Sequence, residues 1–372
     1  MNRELLDIYT DYLISSFSYT TATGLSNALD GIISHDKITR FLSEEDYGSK
    51  QLWQLVKPEI RKIESEEGIL IFDDTIQEKP YTDENFLITW HYDHTMGKAV
   101  KGVNILSALY HNQDVTIPIA FQPIQKTEQY IDKKTGKEKR KSVKTKNEYL
   151  RDMVKVATYD QRIKYKWIVA DVWFSANDTM EFIKLDLKKE FIMPIKANRL
   201  IAFSLAQKGQ GLRQLRCTPK GASAEGSQFQ QVGSYNLEPN IPQIVYIKEL
   251  PFPVLLVKQV FKNEDGSEGM LYLVTSELTA GVDKVEGVYQ KRWHIEEYHK
   301  SLKSNVGLAK SPTKTIRSQQ NHFFAAICAY VKLEMLKVKS KLNHFALKTK
   351  LYIQALKASM TELQKLHFAT GA

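Results

Sequence analysis

Residues 68–75, GILIFDDT, set the reading of the fold. Four consecutive apolar side chains, Ile69 to Phe72, are too few for a helix. Bounded by Gly68 on one side and two carboxylates on the other, they read as a strand buried on both faces. A carboxylate at a strand end is rigidly placed and partly desolvated, which suits a metal ligand and is otherwise costly. Aspartates also end strands as turn formers and helix caps, so Asp73 and Asp74 alone decide nothing. Downstream, residues 103–110 and 115–121 have the pattern of two further strands of a meander. Residues 147–162 carry helical spacing through Tyr149, Leu150, Val154 and Val156. The run 167–170, WIVA, is a short buried strand leading directly into Asp171. A helix over 176–187 and a strand over 191–195 follow.

The order strand, strand, strand, helix, strand, helix, strand is that of an RNase H-like core, an α/β class with a mixed sheet flanked by helices. Residues 197–281 hold the strand-like runs IPQIVYIKEL, FPVLLVKQVF and GMLYLVTSEL. Among these residues, 208–233 is the least core-like stretch of the chain, rich in Gly, Gln and Ser. The expected division is a small N-terminal helical domain over 1–66, the core over 67–196 and 282–340 around the strand-rich stretch 197–281, and a basic helical tail over 341–372.

The chain of 372 residues has 42% hydrophobic content, enough for packed cores. Its formal net charge of +9 suits a phosphate backbone, an acidic lipid or an acidic protein. Distribution narrows the choice. Residues 1–67 carry 7 basic and 12 acidic side chains, whereas 303–372 carry 12 basic and 2 acidic ones. The run 133–146, KKTGKEKRKSVKTK, has eight basic residues against one acid and reads as an exposed loop. Its Lys139, Arg140 and Lys141 are candidates for nucleic-acid backbone contact, and simple solubility is the alternative. The cysteines Cys217 and Cys328 lack zinc-site spacing. No apolar stretch approaches the roughly twenty residues of a membrane span. The N-terminus lacks the features of a secretory signal, so a cytoplasmic protein with no membrane partner is expected.

The segment 289–303, YQKRWHIEEYHKSLK, has few helix breakers and follows the loop-like AGVDK. On a single helix, Tyr289, Arg292, Glu296 and Lys303 fall within an arc of roughly 60°. A stripe of phenol, guanidinium, carboxylate and ammonium is a poor core but suits a site for metal and phosphate. An exposed helix laced with ion pairs such as Arg292–Glu296 is the plain alternative.

The spacing Tyr, two residues, Arg, three residues, Glu, six residues, Lys resembles the signature of the bacterial DDE transposases of the insertion-sequence-four family. The resemblance spans about residues 60–335. That family places its first aspartate in a D-x-T setting, matched at Asp73, and its second after a later apolar strand, matched at Asp171. The resemblance also implies that residues 197–281 are a β-rich insertion in that core, between the second aspartate and the glutamate. Neighbouring strand residues point to opposite faces, so only one of Asp73 and Asp74 faces the site. The D-x-T pattern favours Asp73, with Asp74 as the alternate. The resemblance implies catalysis by Asp73, Asp171 and Glu296 holding two Mg²⁺ ions, for which Mn²⁺ substitutes. It further implies that Tyr289, Arg292 and Lys303 hold DNA phosphates. The implied reaction is cleavage at transposon ends followed by strand transfer into target DNA. The implied partners are inverted-repeat ends, target DNA and a second copy in a homodimer, near a bacterial or archaeal nucleoid. A transposase-derived DNA-binding protein without cleavage, and a nuclease that cuts without joining, are the competing readings.

Several other residues invite attention. Residues 21–29 and 34–42 suggest a helix-turn-helix with Ser34 as cap and His35, Lys37 and Arg40 exposed for end recognition. The net negative charge of that region argues against nonspecific DNA affinity. His91, Asp93 and His94, in an expected loop, lack a matching third ligand and are read as solvent-exposed or satisfied by backbone. Trp293 is expected in packing, with His294 and His299 as bystanders. Asn198 and Arg199, after a strand, are read as turn residues or DNA contacts. Residues 318–339 are expected to form a long helix covering the sheet with Phe324, Ile327, Val331, Leu333 and Leu336.

Overall fold

The computed structural model describes residues 1–93, 96–133, 136–204, 229–262 and 266–369. The expected loop character of 208–228, together with Cys217 and His94, lies outside these residues. The N-terminal region is helical: α1 (Arg3–Ser15), α2 (Ala22–Ala28), α3 (His35–Ser43) and α4 (Ser49–Ile63). Side-chain oxygens of Asn2, Thr21 and Ser34 accept the backbone N–H of Leu5, Gly24 and Lys37, which fixes the first three helix starts.

The sheet begins with β1 (Ile69–Glu78), β2 (Thr89–Asp93), β3 (Lys98–Asn112) and β4 (Val115–Pro123), then a separate hairpin of β5 (Glu128–Ile131) and β6 (Glu138–Lys141). After α5 (Lys146–Lys155) come β7 (Trp167–Ala170), α6 (Asn177–Glu181) and β8 (Glu190–Ile195). Then follow β9 (Leu200–Ala202), β10 (Gln230–Gln231), β11 (Gln243–Ile247), β12 (Pro253–Lys262) and β13 (Glu268–Thr275). The chain closes with α7 (Val282–Gln290), α8 (Trp293–Ser304), α9 (Ile316–Ser340) and α10 (His344–Ala369).

β1 pairs antiparallel with β3 and parallel with β7, and β7 pairs parallel with β8. β4 lies antiparallel on the far edge of β3, so β4, β3, β1, β7, β8 form the RNase H-like core of an α/β fold. The strands β9 to β13 do not build a sheet of their own. β13 bonds antiparallel to β8, and one mixed sheet of 11 strands runs from β10 to β2 among the described residues. Gly102 sits where β3 crosses closest to β1. A Cβ there would lie 2.3 Å from the Gln77 carbonyl oxygen, so no larger residue fits without moving the strand.

Leu70, Ile71 and Phe72 of β1 and all of β7 are fully buried, because helices cover the sheet: α8 packs on β1, α7 on β7 and β8, α5 on β3, and α9 and α4 on β4. α9 is more central than a one-sided cover. From Asn321 to Ala329 every residue is buried, with α1 and α3 packing on it as well as β4. Its apolar face is therefore nearly all-round, and Leu336, expected inside, is 45% exposed.

Three local expectations change. The basic run 133–146 is not a plain loop: Glu138 to Lys141 form β6, paired with β5, while residues 134–135 lie outside the described ones. The helices expected over 147–162 and 176–187 each end in one π turn, Val156–Asp160 and Phe182–Asp186. The segment 289–303 is two helices rather than one, and the first starts at Val282 inside the supposed loop. At the junction the N–H groups of Lys291 and Arg292 donate to the carbonyls of Val288 and Tyr289, three residues back, which tightens the turn and resets the helical phase.

Phe72 is the largest fully buried side chain of β1. Phe72→Ala is expected to lower the unfolding free energy by about 3–5 kcal/mol, read from urea denaturation followed by circular dichroism.

Candidate active site

The two parallel strands at the centre fix the first pair of side chains. Phe72 of β1 is in register with Ala170 of β7, so the next residues, Asp73 and Asp171, are neighbours. Asp171 follows the end of β7. Asp73, expected to end its strand, lies midway along β1, because pairing with β3 carries that strand on to Glu78. Parallel strands lie only about 4.8 Å apart, so the carboxylates are forced into each other's field. Asp73 shows the effect. Its carboxyl is pushed up to about 7, first by burial and then by the neighbouring charge of Asp74. The backbone N–H of Asp74, which donates to Asp73 Oδ1 at 2.8 Å, opposes the shift, Asp171 adds to it, and Arg292 counters it.

Asp74 faces elsewhere. Its Oδ2 accepts from Asn104 Nδ2 of β3 at 2.6 Å and from Lys146 Nζ, at the start of α5, at 2.6 Å. The neighbours that β-alternation separates are thus told apart by their partners: Asp73 by Asp171 and Arg292, Asp74 by Lys146 and Asn104. Nothing in the sequence pattern pointed to Asn104 or Lys146, since their proximity depends on the register of β1 with β3 and on where α5 begins.

α7 and α8 bring the remaining groups. Tyr289 ends α7 with its hydroxyl pushed up to about 12 by burial. The charge of Arg292 opposes that shift, and Asp171 and Asp73 reinforce it. Its phenol therefore stays protonated and able to donate a hydrogen bond at neutral pH. Arg292 lies between the helices and donates from Nη2 to Glu296 Oε1 at 2.7 Å, in the first turn of α8. Lys303 sits two turns further on, where the charges of Asp93 and Glu78 reach it. Asp73, Asp171, Tyr289, Arg292 and Glu296 are therefore one electrostatic neighbourhood despite the broken helix. Even so, no three His, Cys, Asp or Glu side chains among the described residues are grouped so as to hold a metal ion. Glu296 is engaged by Arg292, whose guanidinium occupies the cationic role.

The other sequence candidates are scattered. His35, Lys37 and Arg40 are exposed on α3, remote in the chain from Asp73 and Asp171. On the β5–β6 hairpin Lys139 pairs with Asp132, and Lys141 with Glu128 at 3.2 Å. Arg140 lies over the Phe86 ring at 5.5 Å. Trp293, expected in packing, is 60% exposed, because the tightened turn before α8 directs it outward. His294 bonds Glu297 at 2.8 Å and stacks on His111, while His299 is buried and held neutral by desolvation. His91 is likewise buried, its Nε2 within 2.9 Å of Thr89 Oγ1. Arg199 donates to Asn177 Oδ1.

Residues 1–218 match the family model described as DDE superfamily endonuclease. The chain belongs to that family. The matched span holds Asp73 and Asp171, and Glu296 lies beyond it. The chain is also similar to a solved structure described as the Drosophila P element transposase strand transfer complex, at 9% identity over 97% of this chain and 86% of that one, with a TM-score of 0.28. No curated protein matches this DDE-superfamily chain. No helix among the described residues is long and apolar enough to cross a membrane.

The raised carboxyl of Asp73 has a consequence for stability. A folded-state value above that of the unfolded chain stabilises at low pH and is lost as pH climbs through about 7. In metal-free buffer, Asp73→Asn is therefore expected to be more stable than the parent at pH 8. The expected gain is on the order of 2 kcal/mol after discounting for partial exposure. Little difference is expected at pH 4, and thermal melts at the two pH values check it.

Proposed function

We propose that this chain is a DNA transposase of the insertion-sequence-four type, cutting at transposon ends and joining the freed 3′-hydroxyl to target DNA. What supports the reading is the register that makes Asp73 of β1 a neighbour of Asp171 after β7, with Tyr289 in the field of both and Arg292 between Asp73 and Glu296. The donor set fits a hard divalent cation. All three proposed ligands are carboxylates, and Asp73, raised first by burial and then by the charge of Asp74, is a group whose ionised form a cation would stabilise. Asp73, Asp171 and Glu296 are the residues to hold Mg²⁺, with Mn²⁺ as substitute. Two such ions, when bound, supply Lewis-acid stabilisation of the attacking and leaving oxygens.

The chain's own groups do the rest. Arg292, on exchanging Glu296 for a DNA phosphate, releases that carboxylate toward the two aspartates and neutralises the phosphate in its place. Tyr289 donates its phenolic hydrogen to a non-bridging oxygen, and Lys303 meets a phosphate further along α8. Asp74 is held back as the partner of Lys146, so the first ligand is Asp73. His35, Lys37 and Arg40 of α3 are the candidates for reading the transposon end. Lys139, Arg140 and Lys141 are candidates for contacting its backbone, with two of the three already in surface ion pairs that are worth little and easily exchanged. A homodimer that pairs two ends completes the proposal.

The Arg292–Glu296 pair also favours a second reading, a DNA-binding protein that does not cut, because it leaves the third carboxylate turned to a guanidinium. Incubation with a duplex carrying the inverted repeat that flanks the gene separates the two. With Mg²⁺ or Mn²⁺ the parent is expected to excise and join. Asp73→Asn, Asp171→Asn and Glu296→Gln are each expected to lose at least about a thousandfold in cutting rate, and Asp74→Asn less than about tenfold. Binding without any strand breakage at any metal concentration would leave only the second reading.

Asp73 must lose its proton to accept a cation, so cutting at limiting Mn²⁺ is expected to rise as pH passes through about 7 and then level. A flat profile between pH 6 and 8 would remove Asp73 as a ligand of elevated basicity.

A further inference from the structure

A cleft of about 520 Å³ opens between β2 and the β5–β6 hairpin, lined among others by Trp90, Tyr130, Lys126, Lys137 and Arg140. Its volume is in the range of roughly 300–1,000 Å³ in which small organic groups are bound, and far too small for a duplex. β2 alternates so that Thr89 and His91 point inward, bonded to each other, while Trp90 on the opposite face is 52% exposed. Across the cleft Tyr130 is 41% exposed. Large aromatic faces left half in water on an edge strand lose hydrophobic stabilisation, so they call for an occupant.

The charges select its chemistry. Cations outnumber carboxylates in the lining by four to two. Lys126 is fixed in place beside β2 by donating to the backbone carbonyl of Trp90 at 2.6 Å. Arg140 is positioned by the Phe86 ring beneath it. An aromatic platform flanked by preplaced cations is how a nucleic-acid strand without a partner strand is held, the base on the ring and the phosphates on the cations.

Position ties the cleft to the carboxylates. Lys126 and Lys146 both act on the buried His91 beneath β2, and Lys146 bonds Asp74. At the far end of β2, Asp93 lies in the field of Lys303. β2 therefore links the cleft, through Lys146 and Lys303, to the groups around Asp74 and α8.

We propose that this cleft receives an unpaired nucleotide of the DNA, its base stacked on Trp90 and its phosphates met by Lys126, Lys137 and Arg140. The inference rests on the reading of Asp73, Asp171 and their neighbours as a site for DNA, and adds where a strand goes once it is separated from its complement. A base in a duplex is already stacked on both sides and gains little from the indole, so the cleft distinguishes single strands from double ones.

The test is binding in EDTA, where no strand is cut, of a labelled oligothymidylate of about 12 nucleotides and of a blunt duplex. Trp90→Ala is expected to weaken the single strand by about fivefold or more and the duplex by less than about twofold, while Trp90→Phe keeps most of the affinity for the single strand. A 5-iodouracil oligonucleotide is expected to photo-cross-link to Trp90 or Tyr130, as mapped by peptide mass spectrometry. Equal loss on both DNAs, no loss on the single strand, or cross-links confined to other segments each overturn the proposal. Failure of the cutting assay with retained stacking here removes only the transposase reading. Cutting by the parent together with unchanged binding by Trp90→Ala removes only this cleft.

Discussion

The closeness of Asp73 and Asp171 follows from the parallel pairing of β1 with β7. Once Phe72 and Ala170 are in register, the next residue on each strand is an aspartate, and the spacing of a sheet leaves the two no room to avoid each other. The folded chain tolerates this because apolar side chains behind them, fully buried on both strands, hold the pairing, and because Arg292 leans into the same space. Like charges held close by a rigid frame cost stability, and such a cost is characteristic of places where a protein binds something of opposite sign.

The frame is held from behind by α9. Asn321 links it to the N-terminal helices by accepting from the Tyr47 N–H at 2.9 Å and donating to the Leu42 carbonyl at 3.0 Å. Lower on the same helix, the buried Glu334 accepts from the Thr116 N–H of β4 at 2.9 Å. It also lies 2.9 Å from Nε2 of His344, whose Nδ1 is 2.9 Å from Ser301 Oγ on α8. Burial would raise the Glu334 carboxyl, but hydrogen bonds from His344 and Lys337 outweigh it and hold the group below its ordinary value. One carboxylate thereby joins α9, β4 and α10, and through Ser301 reaches the helix that carries Glu296. A buried carboxylate with both oxygens hydrogen-bonded fixes relative position more than it adds stability.

Much of this was legible in the chain. The apolar runs before Asp73 and Asp171 announced buried strands, and their spacing with the intervening helix gave the core its order. Ser34 marked the start of α3. The spacing of Tyr289, Arg292, Glu296 and Lys303 was read on a single uninterrupted helix, whereas the chain forms two, α7 and α8. Hydrogen bonds three residues apart at Lys291 and Arg292 are a backbone event that side-chain periodicity does not record. The hairpin in the basic run escaped because four-residue strands of Lys, Arg and Glu have no apolar alternation to read. Trp90 and Tyr130 drew no notice because they lie forty residues apart, and only the fold places them across one cleft.

The antiparallel joint between β13 and β8, from Tyr272 opposite Ile195 to Thr275 opposite Ile192, welds the later strands to the RNase H-like core. Backbone bonds do not slide by fractions, since a one-residue slip turns every side chain to the wrong face and the next register that keeps the faces is two residues away, across a fully broken ladder. Motion across that joint is therefore confined to twisting of a common surface, like the warping of a plank rather than the swing of a door. A long, stiff partner lying along the strand tips meets a ruler of fixed length and must itself bend to fit.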